Sequence, residues 1–357
     1  MPACRRPLDR AGMIARPRQG PISRTGSFPR LGARGMSLSL HSRQIETRGP
    51  LLLVHGGAWD IPDAALESHR EGLQSVLEAG TAAVQEEAEA LAGVTTATRA
   101  LEAHGAFNAG YGAMLNQDGA AELDAGVMTG ATLDYGAVMA TQRLEHPVGV
   151  ARRLLETGEG RVRMLAGEGA ERFADATGTE LVPNETLVHP RERRRHERIR
   201  AQAEANHPSR SFRPGGADPQ GRDTVGAVMR DATGTLAAAT STGGTPFKPP
   251  GRVGDSPLPG AGFYADAHVA VSTTGWGEAI AAVGLARSVR ERVRAGDSAE
   301  AAARASLSRM HEQVRAPDGG GATGGCIVVT PEEAAVAFTT PRMARAWTDG
   351  TDARQRL

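Results

Sequence analysis

The chain is 357 residues long, with 41 Lys plus Arg balanced by 41 Asp plus Glu. That length holds one large core or two ordinary ones, and zero net charge leaves no electrostatic footprint for nucleic acid or an anionic membrane. Two cysteines, Cys4 and Cys326, make no disulfide framework and point to a reducing, cytoplasmic setting. No apolar run approaches the roughly 20 residues of a membrane-spanning helix. Small-molecule or peptide chemistry is the class that remains.

Residues 1–45 are rich in Arg, Pro, Gly and Ser and lack a hydrophobic period, which predicts a disordered basic extension. The alternatives are an organellar transit peptide or a misassigned start, with Met36 as the true first residue. The start is favoured because Pro and Gly interrupt any amphipathic helix. Order is expected from Leu51-Leu52-Leu53-Val54, a buried strand that runs into the turn His55-Gly56-Gly57-Ala58-Trp59.

Residues 64–90 read as a helix broken at Gly80, followed by a helix over Val94–His104. A Gly-rich stretch, Phe107-Asn108-Ala109-Gly110-Tyr111-Gly112, and then Glu122-Leu123-Asp124-Ala125-Gly126 come next. Helices are predicted over 147–156 and 161–177. Residues 183–222 carry charge and Pro/Gly but no apolar period, which predicts a mobile linker with a helical piece near 191–205.

Beyond it, Val225–Met229 and Leu236–Ala239 flank Asp231-Ala232-Thr233-Gly234 as a hairpin. A strand over Val269–Thr273, a helix over 278–295, and a closing hairpin of Gly325–Val329 with Ala334–Phe338 complete the pattern. Helices first and hairpins later indicate an α+β layered protein. Cys326 reads as a small buried hydrophobe.

The sharpest junction is Asp223-Thr224, where the linker meets the strand. An exposed segment that ends at a hydroxyl held on a rigid strand suits self-cleavage. Attack of the Thr224 hydroxyl on the Asp223 carbonyl, then hydrolysis of the ester, frees the α-amine of Thr224. Such an amine has a reference pKa of about 7.7–8 and serves as base to its own hydroxyl. Alone, Thr224 would be an ordinary strand threonine; its neighbours decide the matter.

Thr240-Ser241-Thr242-Gly243-Gly244 offers hydroxyls at a strand end. Gly251-Arg252-Val253-Gly254-Asp255-Ser256-Pro257 sets a guanidinium and a carboxylate three residues apart. Such a pair suits the α-carboxylate and α-ammonium of an amino acid. Thr273-Thr274-Gly275-Trp276-Gly277-Glu278 reads as a strand end leading into a helix, whose N–H groups suit an oxyanion.

Together with His55-Gly56-Gly57-Ala58-Trp59 and Gly324-Gly325, these runs resemble the plant-type L-asparaginase / isoaspartyl peptidase family, related to glycosylasparaginase and taspase. The resemblance spans nearly everything except the first 45 residues and the linker. It implies a four-layer αββα sandwich of the N-terminal-nucleophile hydrolase type. It implies one hydrolase domain over 46–357, self-cleaved between Asp223 and Thr224 into subunits 46–223 and 224–357. Two such αβ heterodimers would pair.

By position, Thr224 would be nucleophile and base, supported by Thr242. Thr274 and Gly275 would form the oxyanion hole, and Arg252, Asp255, Gly277 and Asn108 would bind or line. The family implies no organic cofactor, but a structural sodium ion on backbone carbonyls within Leu101, Glu102, His104, Phe107, Ala109 and Tyr111. The sequence departs from the family at Thr129, where Asp is usual, and at Trp276, where a small residue is usual.

Rival readings are a taspase-like endoprotease, a glycosylasparaginase, and a non-cleaving binding protein of the same fold. No G-x-S-x-G, P-loop or H-E-x-x-H signature occurs. Asn116-Gln117-Asp118-Gly119 reads as a polar turn, not a calcium loop.

Overall fold

A computed structural model describes residues 38–47, 49–86, 89–205, 224–315 and 319–357. The fold is mixed α/β, built on two sheets. In chain order, β1 (His41–Glu46) and β2 (Leu51–Trp59) precede α1 (Leu66–Gln85) and α2 (Ala90–Ala103). Then come β3 (Leu123–Thr129), β4 (Tyr135–Thr141), α3 (Pro147–Thr157), β5 (Met164–Ala166), α4 (Gly167–Ala176) and α5 (Pro190–Ala205).

The second half runs β6 (Val225–Arg230), β7 (Leu236–Thr242), β8 (Phe263–Ala265), β9 (Ala270–Gly275), α6 (Gly277–Val283), α7 (Leu285–Arg294) and α8 (Ala299–Gln313). It closes with β10 (Gly324–Val329), β11 (Glu333–Phe338), β12 (Arg342–Thr348) and β13 (Ala353–Arg356). One sheet has the order β1-β11-β10-β9-β8 and the other β13-β12-β2-β6-β7-β3-β4-β5. Neighbours are antiparallel except β4 and β5.

Successive side chains of a strand point to opposite faces, and here both faces are buried. On β2, Leu51 and Leu53 join a cluster with Val271, Ile327 and Val336 of the five-stranded sheet. Leu52 and Val54 join another with Leu73 and Leu77 of α1 and Val94 of α2. β6 divides likewise, with Val228 in the first cluster and Val225, Ala227 and Met229 in the second. This is why Leu51–Val54 reads as a continuous apolar run rather than an alternating one.

The predicted hairpin joins β6 and β7, and Asp231 makes its turn. Its Oδ1 accepts from the N–H groups of Thr233 and Thr235, both at 2.9 Å. Its Oδ2 accepts from the N–H of Ala90 at 3.0 Å, at the start of α2. The polar turn at Asn116 also forms, with Oδ1 accepting from the N–H groups of Asp118 and Ala120. Cys326 is buried and free, and burial pushes its thiol up to about 12.

Several expectations need correction. Gly80 does not break α1; a Cβ there would lie 2.3 Å from Leu52 Cδ2, so glycine lets the helix sit closely on β2. Disorder does not extend to residue 45, because β1 pairs with β11 and Ile45 is buried. The helix expected over 161–177 begins only at Gly167, after β5. The helix expected over 278–295 is split where Gly284 adopts φ 59°.

The segment 183–205 is not a mobile linker. Asn184 donates to the carbonyls of Ala121 and Gln142 at 2.7 Å, Leu187 is buried, and so are Glu192 and Ile199 of α5. Charge hid this packing, because Glu192 is buried only with Arg191 and Arg195 paired to it. The rest of the expected linker, 206–222, and Asp223 lie outside the described residues. Among those described, no helix is long and apolar enough to cross a membrane.

One close approach yields a stability prediction. A Cβ on Gly136 of β4 would lie 2.0 Å from the carbonyl oxygen of Ala151 in α3. Backbone cannot swing aside as a side chain can. Gly136→Ala is expected to cost about 2–3 kcal/mol, seen as a lowered midpoint in thermal unfolding. An unchanged midpoint would mean that α3 can shift freely on the sheet.

Candidate active site

Thr224 immediately precedes β6 and is buried at 6% exposure. Val225 pairs with Ser241 across β6 and β7, so Thr224 falls opposite Thr242. The Thr224 hydroxyl donates to Thr242 Oγ1 at 3.2 Å, and Ser256 Oγ lies 3.3 Å away on its other side. Its main-chain N–H donates to Thr274 Oγ1 at 3.2 Å. Thr274 belongs to β9 of the other sheet. The site therefore forms where strand ends of both sheets meet, and that meeting holds the hydroxyl still.

The turn after Thr242 is braced twice. The N–H of Gly244 donates to Thr242 Oγ1 at 3.0 Å. Asn108 donates to the carbonyl of Gly244 at 2.7 Å and accepts from the N–H of Gly243 through its own carbonyl at 3.0 Å. A Cβ on Gly243 would lie 2.5 Å from Asn108 Oδ1. Asn108 thus reaches the nucleophile through the Thr242 turn.

The loop 251–257 brings Arg252 and Asp255 together with Gly277. A Cβ on Gly277 would lie 2.8 Å from Asp255 Oδ1 and 3.0 Å from Arg252 Nη2, and one on Gly254 would lie 2.9 Å from Arg252 Nη1. Only glycine keeps that space open. Arg252 donates from Nε and Nη2 to Glu278 Oε1, at 3.0 and 2.8 Å. Burial pushes Glu278 up, but the charge and hydrogen bonds of Arg252, its own N–H and the nearby Trp276 side chain outweigh that and hold it below the usual range.

Asp255 is buried, and its Oδ2 accepts from Thr273 Oγ1 at 3.3 Å. Burial pushes its carboxyl up to about 7, against the downward pull of its own N–H, Arg252 and Thr273. These partners do not outweigh the burial, so a cation beside the carboxylate would stabilise its charged form. The loop is anchored from below by Glu122, whose Oε1 accepts from the N–H of Gly251 at 2.8 Å. The buried Lys248 ammonium donates to the Glu122 carbonyl at 2.7 Å.

Gly275 has φ 132°, and a Cβ there would lie 2.4 Å from Gly324 Cα, so the Gly324-Gly325 run is the other half of that contact. The expected helix start is short. α6 has 7 residues, and the N–H of Trp276 already donates to the carbonyl of Thr323 at 3.2 Å.

Two residues without an assigned role in the sequence reading belong here. Ser256 is one, through its 3.3 Å approach to Thr224. His55 is the other, with its Nε2 2.8 Å from Ser272 Oγ. Burial lowers its pKa to about 3, with the Thr224 main chain nearby pulling the other way. A neutral imidazole therefore lies behind the nucleophile. Gly226 has to be glycine beside it, since a Cβ would lie 2.0 Å from Ser272 Oγ.

The loop expected to hold sodium curls back on itself. The N–H of Tyr111 donates to the carbonyl of Glu102 at 2.9 Å, that of His104 to Leu101 and that of Phe107 to His104. Each of these carbonyls keeps a second lone pair. The Glu102 side chain is fully buried, with Oε2 3.4 Å from His146 Nδ1 but outside hydrogen-bond geometry. A buried carboxylate beside curled carbonyls fits a hard cation. Among the described residues, no three His, Cys, Asp or Glu side chains gather in a way that could hold a metal.

Known proteins are similar to this chain over most of its length. The isoaspartyl peptidase/L-asparaginase of Xenopus laevis is 40% identical over 299 residues, 83% of this chain and 91% of that protein. The isoaspartyl peptidase of Salmonella typhimurium is 39% identical over 307 residues, 83% of this chain and 94% of its own. The human isoaspartyl peptidase/L-asparaginase is 39% identical over 283 residues, 79% and 87% respectively. The family model described as Asparaginase matches residues 48–357, a span that takes in every site residue above, and the chain belongs to that family.

Proposed function

We propose that the chain is a threonine amidohydrolase that cuts itself before Thr224 and releases aspartate from L-asparagine and β-aspartyl dipeptides. The observation that carries this reading is the double hold on Thr224. Its hydroxyl lies between Thr242 and Ser256, and its main-chain nitrogen is on Thr274.

Once the α-amine is free, it takes the proton as the hydroxyl oxygen attacks the side-chain carbonyl of the substrate. Thr274 Oγ1 and the Gly275 N–H stabilise the oxyanion. The C–N bond breaks and the amine returns the proton to the leaving nitrogen, so ammonia or an amino acid departs. A β-aspartyl ester remains on Thr224. Water, deprotonated by the same amine, opens it to aspartate and restores the hydroxyl.

Arg252 takes the α-carboxylate with its Nη1–Nη2 edge, since its Nε side is held by Glu278. Asp255 takes the α-ammonium. Both charges belong to a free aspartyl unit, which favours this reading over a taspase-like endoprotease. The αββα sandwich of the class accounts for the two sheets and the separate helix clusters on them. A sodium ion on the carbonyls of the 101–111 loop would stiffen it and take no part in the chemistry. The functional unit is a dimer of cleaved heterodimers, in a reducing compartment.

The test is intact mass spectrometry of the purified protein, with N-terminal sequencing of each fragment and an assay of ammonia release from L-asparagine. Two fragments, one starting at Thr224, with ammonia release are expected. A single uncut chain with no hydrolysis would leave the non-cleaving binding protein in its place.

A further inference from the structure

Two sheets held face to face by apolar contact have no fixed alignment, because such contact is non-directional. At the nucleophile the alignment matters. The main-chain N–H of Thr224, just before β6, donates at 3.2 Å to Thr274 Oγ1 of β9 in the other sheet. A small slide of one sheet over the other would break that bond.

A second buried bond crosses the same gap and takes no part in the chemistry above. His55 of β2 places Nε2 2.8 Å from Ser272 Oγ of β9, and both residues are fully buried. His55 lies directly opposite Gly226 where β2 pairs with β6, close along the strand to Thr224. Ser272 and Thr274 are alternate residues of β9, so their side chains leave the same face. The two bonds are neighbouring rungs between the sheets. Gly226 makes room for them: a Cβ there would lie 2.0 Å from Ser272 Oγ and 2.7 Å from His55 Nε2. His55 Nδ1 finds no hydrogen-bond partner among the described residues, a cost that an apolar side chain would avoid. A hydrogen bond, unlike apolar packing, has a direction and a length.

We propose that His55 is a positioning residue: through Ser272 it ties β2 and β6 to β9, so that Thr274 Oγ1 stays on the Thr224 nitrogen. This rests on the hydrolase reading above. In the cleaved enzyme that nitrogen is the base and Thr274 Oγ1 an oxyanion donor, so the tie sets base and oxyanion hole relative to each other. Arg252 and Asp255 sit on the 251–257 loop, and the tie leaves substrate binding to them.

The experiment compares wild type, Ser272→Ala, His55→Leu, His55→Gln and the double variant of Ser272→Ala with His55→Leu. Self-cleavage is timed by intact mass, and kcat and KM on L-asparagine and on a β-aspartyl dipeptide are taken per cleaved chain. Ser272→Ala removes one oxygen and little volume. It is expected to slow self-cleavage and to lower kcat about 10- to 100-fold, the scale of reacting groups held slightly out of place, with KM within about threefold. The loss should be equal on both substrates. His55→Leu should match it, and the double variant should lose no more than either alone, because all three remove the same bond. Gln sets an amide nitrogen near the place of Nε2, and His55→Gln is expected to keep kcat within about threefold of wild type.

An unchanged kcat in Ser272→Ala overturns the inference even if the unfolding midpoint falls, since a purely structural bond would do just that. So does a rise in KM without a fall in kcat. Losses that multiply in the double variant also overturn it, because the two residues would then act apart. If His55→Leu does not fold, Ser272→Ala and His55→Gln decide. A lowered kcat in the first with a near-wild-type second supports the tie, and a folded His55→Gln as slow as Ser272→Ala overturns it. A wild type that hydrolyses neither substrate fails the hydrolase reading itself, and the inference falls with it.

Discussion

Thr224→Ala is expected to give one uncut chain of 37.2 kDa with hydrolysis reduced on the order of a millionfold, the scale seen when a nucleophile is removed. The loss is large because a single oxygen is used twice, first on the Asp223 carbonyl and then on the substrate. The hydroxyls of Thr242 and Ser256 lie close to it, but neither carries a free α-amine of its own as base. Stability should change little: the variant loses hydroxyl bonds worth about 1 kcal/mol each and keeps the main-chain bond to Thr274.

Thr224→Ser separates the two jobs of the residue. The hydroxyl remains, but the methyl that restricts χ1 is lost. Cleavage should persist at a reduced rate, and turnover should fall about tenfold as the hydroxyl samples unproductive rotamers. Mass spectrometry and a single-turnover assay read both effects. An active Thr224→Ala enzyme would end the mechanism.

The sequence brings forward candidate site residues that the structure gathers around Thr224. Thr224, Thr242, Arg252, Asp255 and Thr274 each read alone as an ordinary strand or turn residue; it is the ordered set of runs, and the resemblance they carry, that names them. What they lean on was not legible. His55 faces the nucleophile from β2, and Ser272 meets it from the other sheet; that contact spans 217 residues of chain. Glu278 and Trp276 look like an ordinary helix start until the arginine is placed beside them.

The fold was read best where one face was polar or a turn was marked, as at Asp231. The strands β3 and β4 carry no such signal. Both faces of β3 are buried, so apolar residues do not alternate with polar ones. Gly126 and Gly136 within this pair are close-contact glycines, against Phe263 and the Ala151 carbonyl, and glycine argues locally against a strand. The alanine-rich α8 was missed for a related reason. Ala302 and Ala303 are core residues here, yet alanine alone marks neither a face nor a core.

Activity should depend on pH in a way that separates binding from chemistry. Asp255 has its carboxyl pushed up to about 7 by burial in the free enzyme, and it holds an ammonium group only when ionised. The Thr224 amine, with a reference pKa of about 7.7–8, works as a base only when neutral. Both conditions improve as pH rises. In kcat/KM, which reports free enzyme, the two losses multiply, so the acid limb should approach a slope of two.

In kcat the substrate ammonium keeps Asp255 ionised, leaving the amine alone and a slope of one. Two units below its pKa only about one Asp255 in a hundred is charged, so that factor alone lowers kcat/KM about 100-fold by pH 5. Asp255→Asn should remove one unit of slope and lower the plateau. Equal slopes in kcat and kcat/KM would take Asp255 out of ammonium binding.

The same shift has a stability side with the opposite sign. Between pH 3.8, the ordinary value, and about 7, the native state keeps a proton that the unfolded chain has released. Raising pH through that window therefore costs stability, on the order of 3–5 kcal/mol when complete. A bound ammonium offsets that cost by pairing with the carboxylate. L-aspartate should thus raise the unfolding midpoint more at pH 8 than at pH 5. The site is least stable when empty and charged, which is the state that binds substrate best.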